Sequence, residues 1–117
     1  MTNEQKAVVI ATYDGWEQIN PDELYNKNVN HTISIDEMTD IYLNGSQWLK
    51  AIAKEALKPF GSIKCLDAGV DGAMAYYHLR QAVDSFKYDK KGDLHELFEA
   101  TYEAIIFIVN YQNKSNQ

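Results

Sequence analysis

Apolar residues recur at helical spacing in three stretches of this chain. Ala7, Val8, Ile10 and Ala11 predict a buried face on an N-terminal helix. Thr2 is placed to cap it, and Gln5, three residues on, completes a capping box. Asp14-Gly15 ends the pattern. Trp48, Leu49, Ile52, Ala53, Ala56 and Leu57 repeat at intervals of three and four, which predicts a helix over 47–58 between Asn44-Gly45-Ser46 and Pro59. The longest stripe is Leu94, Leu97, Phe98, Thr101, Ile105, Ile108 and Val109, a helix over 93–111. Asp93 and Glu96 form its capping box, and Glu96, Glu99 and Glu103 fall on its wet side.

The intervening segments carry shorter signals. Asn20-Pro21-Asp22-Glu23 reads as a turn or a short helical start. Val29, Ile33 and Ile35 alternate around His31, the mark of a short strand, while Ser34 and Glu37 form a capping box for a helical turn. Both readings stay open. Residues 62–66 alternate like a strand, and 67–72, with two glycines and two aspartates, read as a turn. Over 73–88, Ala75, Leu79, Val83 and Phe86 mark a helical face, whereas Tyr76, His78 and Arg80 against Tyr77 and Leu79 mark a strand. The expectation is an α+β fold, a small sheet packed with about three helices. An all-α fold is the alternative if 73–88 is helical. One domain spans 1–117, with a polar, frayed tail at 113–117.

Composition narrows the function classes. Of 117 residues, 45% are hydrophobic, 24% charged and 12% aromatic, which fits a globular domain and argues against disorder. Eleven Lys and Arg against 17 Asp and Glu give a net charge of −6, and Arg80 is the single arginine, so a nucleic-acid coat is not expected. No apolar run approaches the roughly 20 residues of a membrane span. The N-terminus lacks the basic start and long apolar stretch of a secretory signal. Cys65 is the only cysteine, which excludes an internal disulfide and suits a reducing compartment. A cytoplasmic protein is therefore expected.

Catalytic signals are sparse. No serine sits in a nucleophile elbow and no glycine-rich loop could cradle a phosphate. His31, His78 and His95 lie far apart; His95 and Glu99 share a helical face, but two ligands do not make a metal site. Residues 67–72 match parts of a calcium loop, with Gly69 where a ligand is needed and His78 where the loop's last glutamate belongs. The expectation is no catalytic residue set, no cofactor and no metal. A metal-dependent enzyme or binder using Cys65, Asp67, Asp71 and His78 is one alternative. An acidic DNA-mimic inhibitor, suggested by the −6 charge, is another. Asp36, Glu37 and Asp40 cluster, as a solvated face commonly does. Eight tyrosines and two tryptophans stand out more. Tyr13, Trp16, Tyr42 and Trp48 flank the two glycine turns and form a candidate interaction surface, although a core with tyrosine hydroxyls at its edge needs the same residues. The function this implies is non-enzymatic, through an unknown protein partner or a homo-oligomer.

Three segments together carry a resemblance: Ile10-Ala-Thr-Tyr-Asp-Gly-Trp16, Tyr42-Leu-Asn-Gly-Ser-Gln-Trp-Leu49 leading into Ala51-Ile-Ala-Lys-Glu55, and the aromatic–aliphatic run from Leu97 to Tyr111. They resemble the phage ABA sandwich domain, found in small proteins of phages and prophages of Bacteroides-type bacteria. Lys50-Ala51 stand where that family has Met-Pro after the middle tryptophan, and the family's usual tryptophan near the end is missing, with Asn110 before Tyr111. The resemblance implies helices packed on a small sheet and a phage- or mobile-element setting. It transfers no catalytic residue.

Overall fold

Thr2 caps the first helix, α1 (Asn3–Tyr13), as its sequence predicts: Gln5 N–H donates to its hydroxyl at 3.2 Å, and Thr2 N–H donates to Gln5 Oε1 at 2.8 Å. The computed structural model describes residues 1–44, 46–61, 65–85 and 94–115, with the backbone alone for 46, 65–68 and 115. After α1 come three strands, β1 (Glu17–Asn20), β2 (Glu23–Asn26) and β3 (His31–Ser34). Four helices follow: α2 (Ile35–Asn44), α3 (Ser46–Leu57), α4 (Cys65–Ser85) and α5 (Leu94–Ser115), with a 3₁₀ turn at Lys58–Gly61. The fold is α+β. The all-α alternative falls because the strands pair as an antiparallel sheet in the order β1-β2-β3.

Two strands lacked a sequence signal. All four residues of β1 are exposed, so no alternation marks it. The asparagines around it are the better clue. Asn20 Oδ1 accepts the N–H of Asp22 at 2.9 Å, and Asn26 Oδ1 accepts that of Asn28 at 2.9 Å, so each strand ends in a side-chain-closed turn. Asn30 adds a left-handed φ of 49° before β3. Leu24 pairs with Ile33, and these are the sheet's buried aliphatics. Both readings of the Ser34 region hold in succession: β3 ends at Ser34, whose hydroxyl then accepts the N–H of Glu37 at 3.1 Å as α2 begins.

The strand expected over 62–66 is not borne out where it can be seen. Residues 62–64 lie outside the described residues, and 65–66 open α4. Five alternating residues do not separate a strand from the first turn of a buried helix. The turn expected over 67–72 is helical apart from Gly69, whose φ of 66° and ψ of −169° kink α4. Residues 73–85 are helix, with Ala75, Leu79 and Val83 on the buried side. Phe86 and the Asp93 cap lie outside the described residues. The tail at 113–115 is helical, because α5 runs to Ser115; each residue added to a formed helix gains a bond without a new nucleus.

α5 packs against α1, α2, α3 and α4 and is the central element. Leu97, Phe98, Thr101, Ala104, Ile105 and Ile108 are its buried side, and Thr101 hydroxyl donates to the Leu97 carbonyl at 2.6 Å, so its burial leaves no polar atom stranded. Lys6 Nζ lies 2.7 Å from both Glu99 carboxylate oxygens and ties α1 to α5. Two residues leave the expected stripes. Trp48 and Val109 are each 39% exposed, because they sit at the edges of faces that the neighbouring helices do not fully cover.

Candidate interaction surface

The four aromatics singled out in the sequence divide between core and surface. Trp16, at 3% exposure, and Tyr42, at 0%, are core residues. The predicted surface therefore narrows to Tyr13, which is half-buried, and Trp48. The ring contacts explain the split. Trp48 stands edge-on to Trp16 at 6.1 Å and to Tyr42 at 6.4 Å, and Trp16 stands edge-on to His31 at 6.4 Å. These rings seal the seam between the sheet and α2–α3 mainly by packing on one another.

Carboxylates and phenols crowd this corner. Asp14 closes α1, where the helix dipole already places negative partial charge, and α1 has no basic residue in its last turn. Burial, and then the Glu55 carboxylate, raises the Asp14 carboxyl above its ordinary pKa. The same two causes raise the Tyr13 phenol. Burial, and then Asp14, raises the Tyr42 phenol well above its ordinary value. Tyr42 Oη is also the one buried side-chain polar atom among the described residues that finds no hydrogen-bond partner.

Asp14→Asn is expected to stabilise the protein at neutral pH, by less than about 1 kcal/mol because solvent screens this exposed carboxyl. A raised folded-state pKa means that folding favours the protonated acid. The penalty on wild type is absent below the unfolded carboxyl value of about 3.9 and grows as pH rises through the folded value. Urea midpoints of the two proteins should therefore converge below about pH 4 and separate above it. A constant offset across that range would show that the charge is not responsible.

The larger surface feature lies elsewhere. A groove of about 640 Å³ runs between α4 and the 3₁₀ turn, lined chiefly by Leu57, Phe60, Tyr76, Tyr77 and Arg80. Two of these lining rings, Tyr76 and Phe60, begin an aromatic file that continues onto α5. Tyr76 meets Phe60 at 5.5 Å, Phe60 stacks on Phe107 at 5.8 Å, and Phe107 stacks on Tyr111 at 6.0 Å. Arg80 donates to Tyr76 Oη at 2.7 Å, which fixes the guanidinium at the groove's edge. Along the outer side of α4 run Val70, Met74 and Tyr77, exposed by 74%, 50% and 62%. Their four- and three-residue spacing makes one stripe, opposite the buried stripe of Ala75, Leu79 and Val83. A helix with two apolar stripes has one more than its own fold covers. The sequence held that second stripe, but a turn placed over 67–72 cut Val70 away from Met74 and Tyr77.

A second groove, of about 410 Å³, is polar. His78, from α4, lies 3.8 Å from Glu103, and His95 lies 3.8 Å from Glu99, both on α5. Among the described residues no three His, Cys, Asp or Glu side chains gather closely enough to hold a metal. Of the residues named for a metal-dependent reading, Asp71 and His78 are exposed on α4, and the side chains of Cys65 and Asp67 lie outside the described residues. No helix among the described residues is long and apolar enough to cross a membrane. Compared with known protein families, with curated proteins and with solved structures, the chain matches none.

Proposed function

We propose that this chain is a non-enzymatic accessory protein that works by protein–protein contact through the outer face of α4. The observation that carries this reading is the line of Val70, Met74 and Tyr77 beside an aromatic groove. Large apolar side chains in contiguous exposure mark interaction sites, because leaving them in water costs free energy that a partner recovers. A groove of this size, mostly apolar with Lys58, Arg80 and Asp84 among its lining residues, suits the side chains of a protein segment. A phage- or mobile-element setting belongs to the same proposal and is supported by the three resembling segments.

The test is a pull-down from the native host with wild type and with the double variant Met74→Glu/Tyr77→Glu. Both positions are exposed, so the variant is expected to fold. A partner retained by wild type and lost by the variant supports the proposal. Equal capture by the two proteins would remove it.

A further inference from the structure

Resting on that reading, we infer that the partner seated on the α4 face is a second copy of this chain, docked antiparallel about a two-fold axis at Met74. The argument comes from the order of residues around that position. Val70 precedes Met74 by four residues and Tyr77 follows it by three. Asp71 precedes it by three and His78 follows it by four. At 100° per residue, Val70 and Tyr77 lie on one flank of Met74, and Asp71 and His78 lie on the other. Both Asp71 and His78 are exposed.

When two such helices cross antiparallel about a two-fold axis, each flank meets the same flank of the other copy. Val70 then lies beside the partner's Tyr77, since four residues back and three residues forward differ by one helical rise of about 1.5 Å. Asp71 lies beside the partner's His78 for the same reason. Each contact occurs twice, and Met74 meets its own counterpart at the axis, as an isologous interface requires. A parallel arrangement fails on the same pattern, because the Val70–Tyr77 flank of one copy would face the polar Asp71–His78 flank of the other. The antiparallel pairing also sets an imidazole beside a carboxylate. His78 already lies 3.8 Å from Glu103 of its own chain, and the partner's Asp71 would add a second carboxylate to it. The kink at Gly69 ends the straight part of α4 just before Val70, so the whole pattern lies on one regular segment.

The test is sedimentation velocity over a concentration series, with a crosslinking arm. Wild type should self-associate, and Met74→Glu should weaken the dimer about tenfold or more while leaving unchanged the urea midpoint measured at a dilution where both proteins are monomeric. In a Cys65→Ser background, Met74→Cys should form a disulfide-linked dimer under mild oxidation. Two α-carbons facing one another across a helix contact fall within disulfide reach. Lys54→Cys, exposed on α3, should not. A wild-type chain that stays monomeric up to about 1 mM would overturn the second-copy assignment, because that concentration marks an affinity too weak for a specific pair. So would a dimer that Met74→Cys does not link. Neither result touches the broader reading, which fails only if the pull-down is insensitive to Met74→Glu/Tyr77→Glu.

Discussion

Phe98→Ala is expected to destabilise the protein by about 3–5 kcal/mol, the cost of truncating a fully buried aromatic and leaving its cavity. Phe98 is 0% exposed on the helix that packs against all four others. The loss therefore falls where the units of the core converge, and no surface loop can collapse to fill it. Native domains of this size hold only about 5–15 kcal/mol, so the variant should lose about a fifth or more of its stability. Urea unfolding followed by far-UV circular dichroism would show the midpoint fall with little change in slope. A loss under about 1 kcal/mol would mean that α5 is not the centre of the core, since that is the range of surface substitutions.

Tyr42→Phe should move stability the other way, by about 1–3 kcal/mol, which is the desolvation cost of a buried polar group left without a partner. The ring is wholly buried, and Oη finds no hydrogen-bond partner among the described residues. Phenylalanine keeps the ring and its edge contact with Trp48 at 6.4 Å and deletes only the stranded hydroxyl. A rise in melting temperature of roughly 4 °C per kcal/mol is expected for a chain of this length. The variant should also differ in alkali. Burial and Asp14 hold the folded Tyr42 phenol protonated above its ordinary pKa. The unfolded phenol ionises from about pH 10, so wild type loses stability as pH climbs past that point, whereas the variant lacks this loss. If Tyr42→Phe proved destabilising, a water or side chain must satisfy the hydroxyl.

The two aromatic regions thus contrast. The corner of Trp16, Tyr42 and Trp48 uses its rings on one another, and its unpaired hydroxyl and crowded carboxylates cost stability. The outer face of α4 leaves its apolar side chains in water, where only a partner can repay them. The aromatic excess of the sequence is shared between these two uses, so counting rings could not assign either one.

Much of the framework was legible in the sequence. The capping box of Thr2 and Gln5, the stripe over α3 and the long stripe of α5 are local patterns, and local hydrogen bonds and spacing decide them. The kink in α4 and the strands β1 and β2 were not legible. A single glycine with positive φ leaves the helix on either side intact, β1 is exposed and polar with no alternation to detect, and the alternation in β2 rests on one buried aliphatic, Leu24. What only the tertiary structure decided is which of several apolar faces is used inside. Trp16 and Tyr42 became core where they pack on Trp48, and Val70, Met74 and Tyr77 stayed outside because the buried side of α4 is the Ala75–Leu79–Val83 side. A residue's periodicity sets the face it lies on, but only the arrangement of its neighbours determines whether that face is covered.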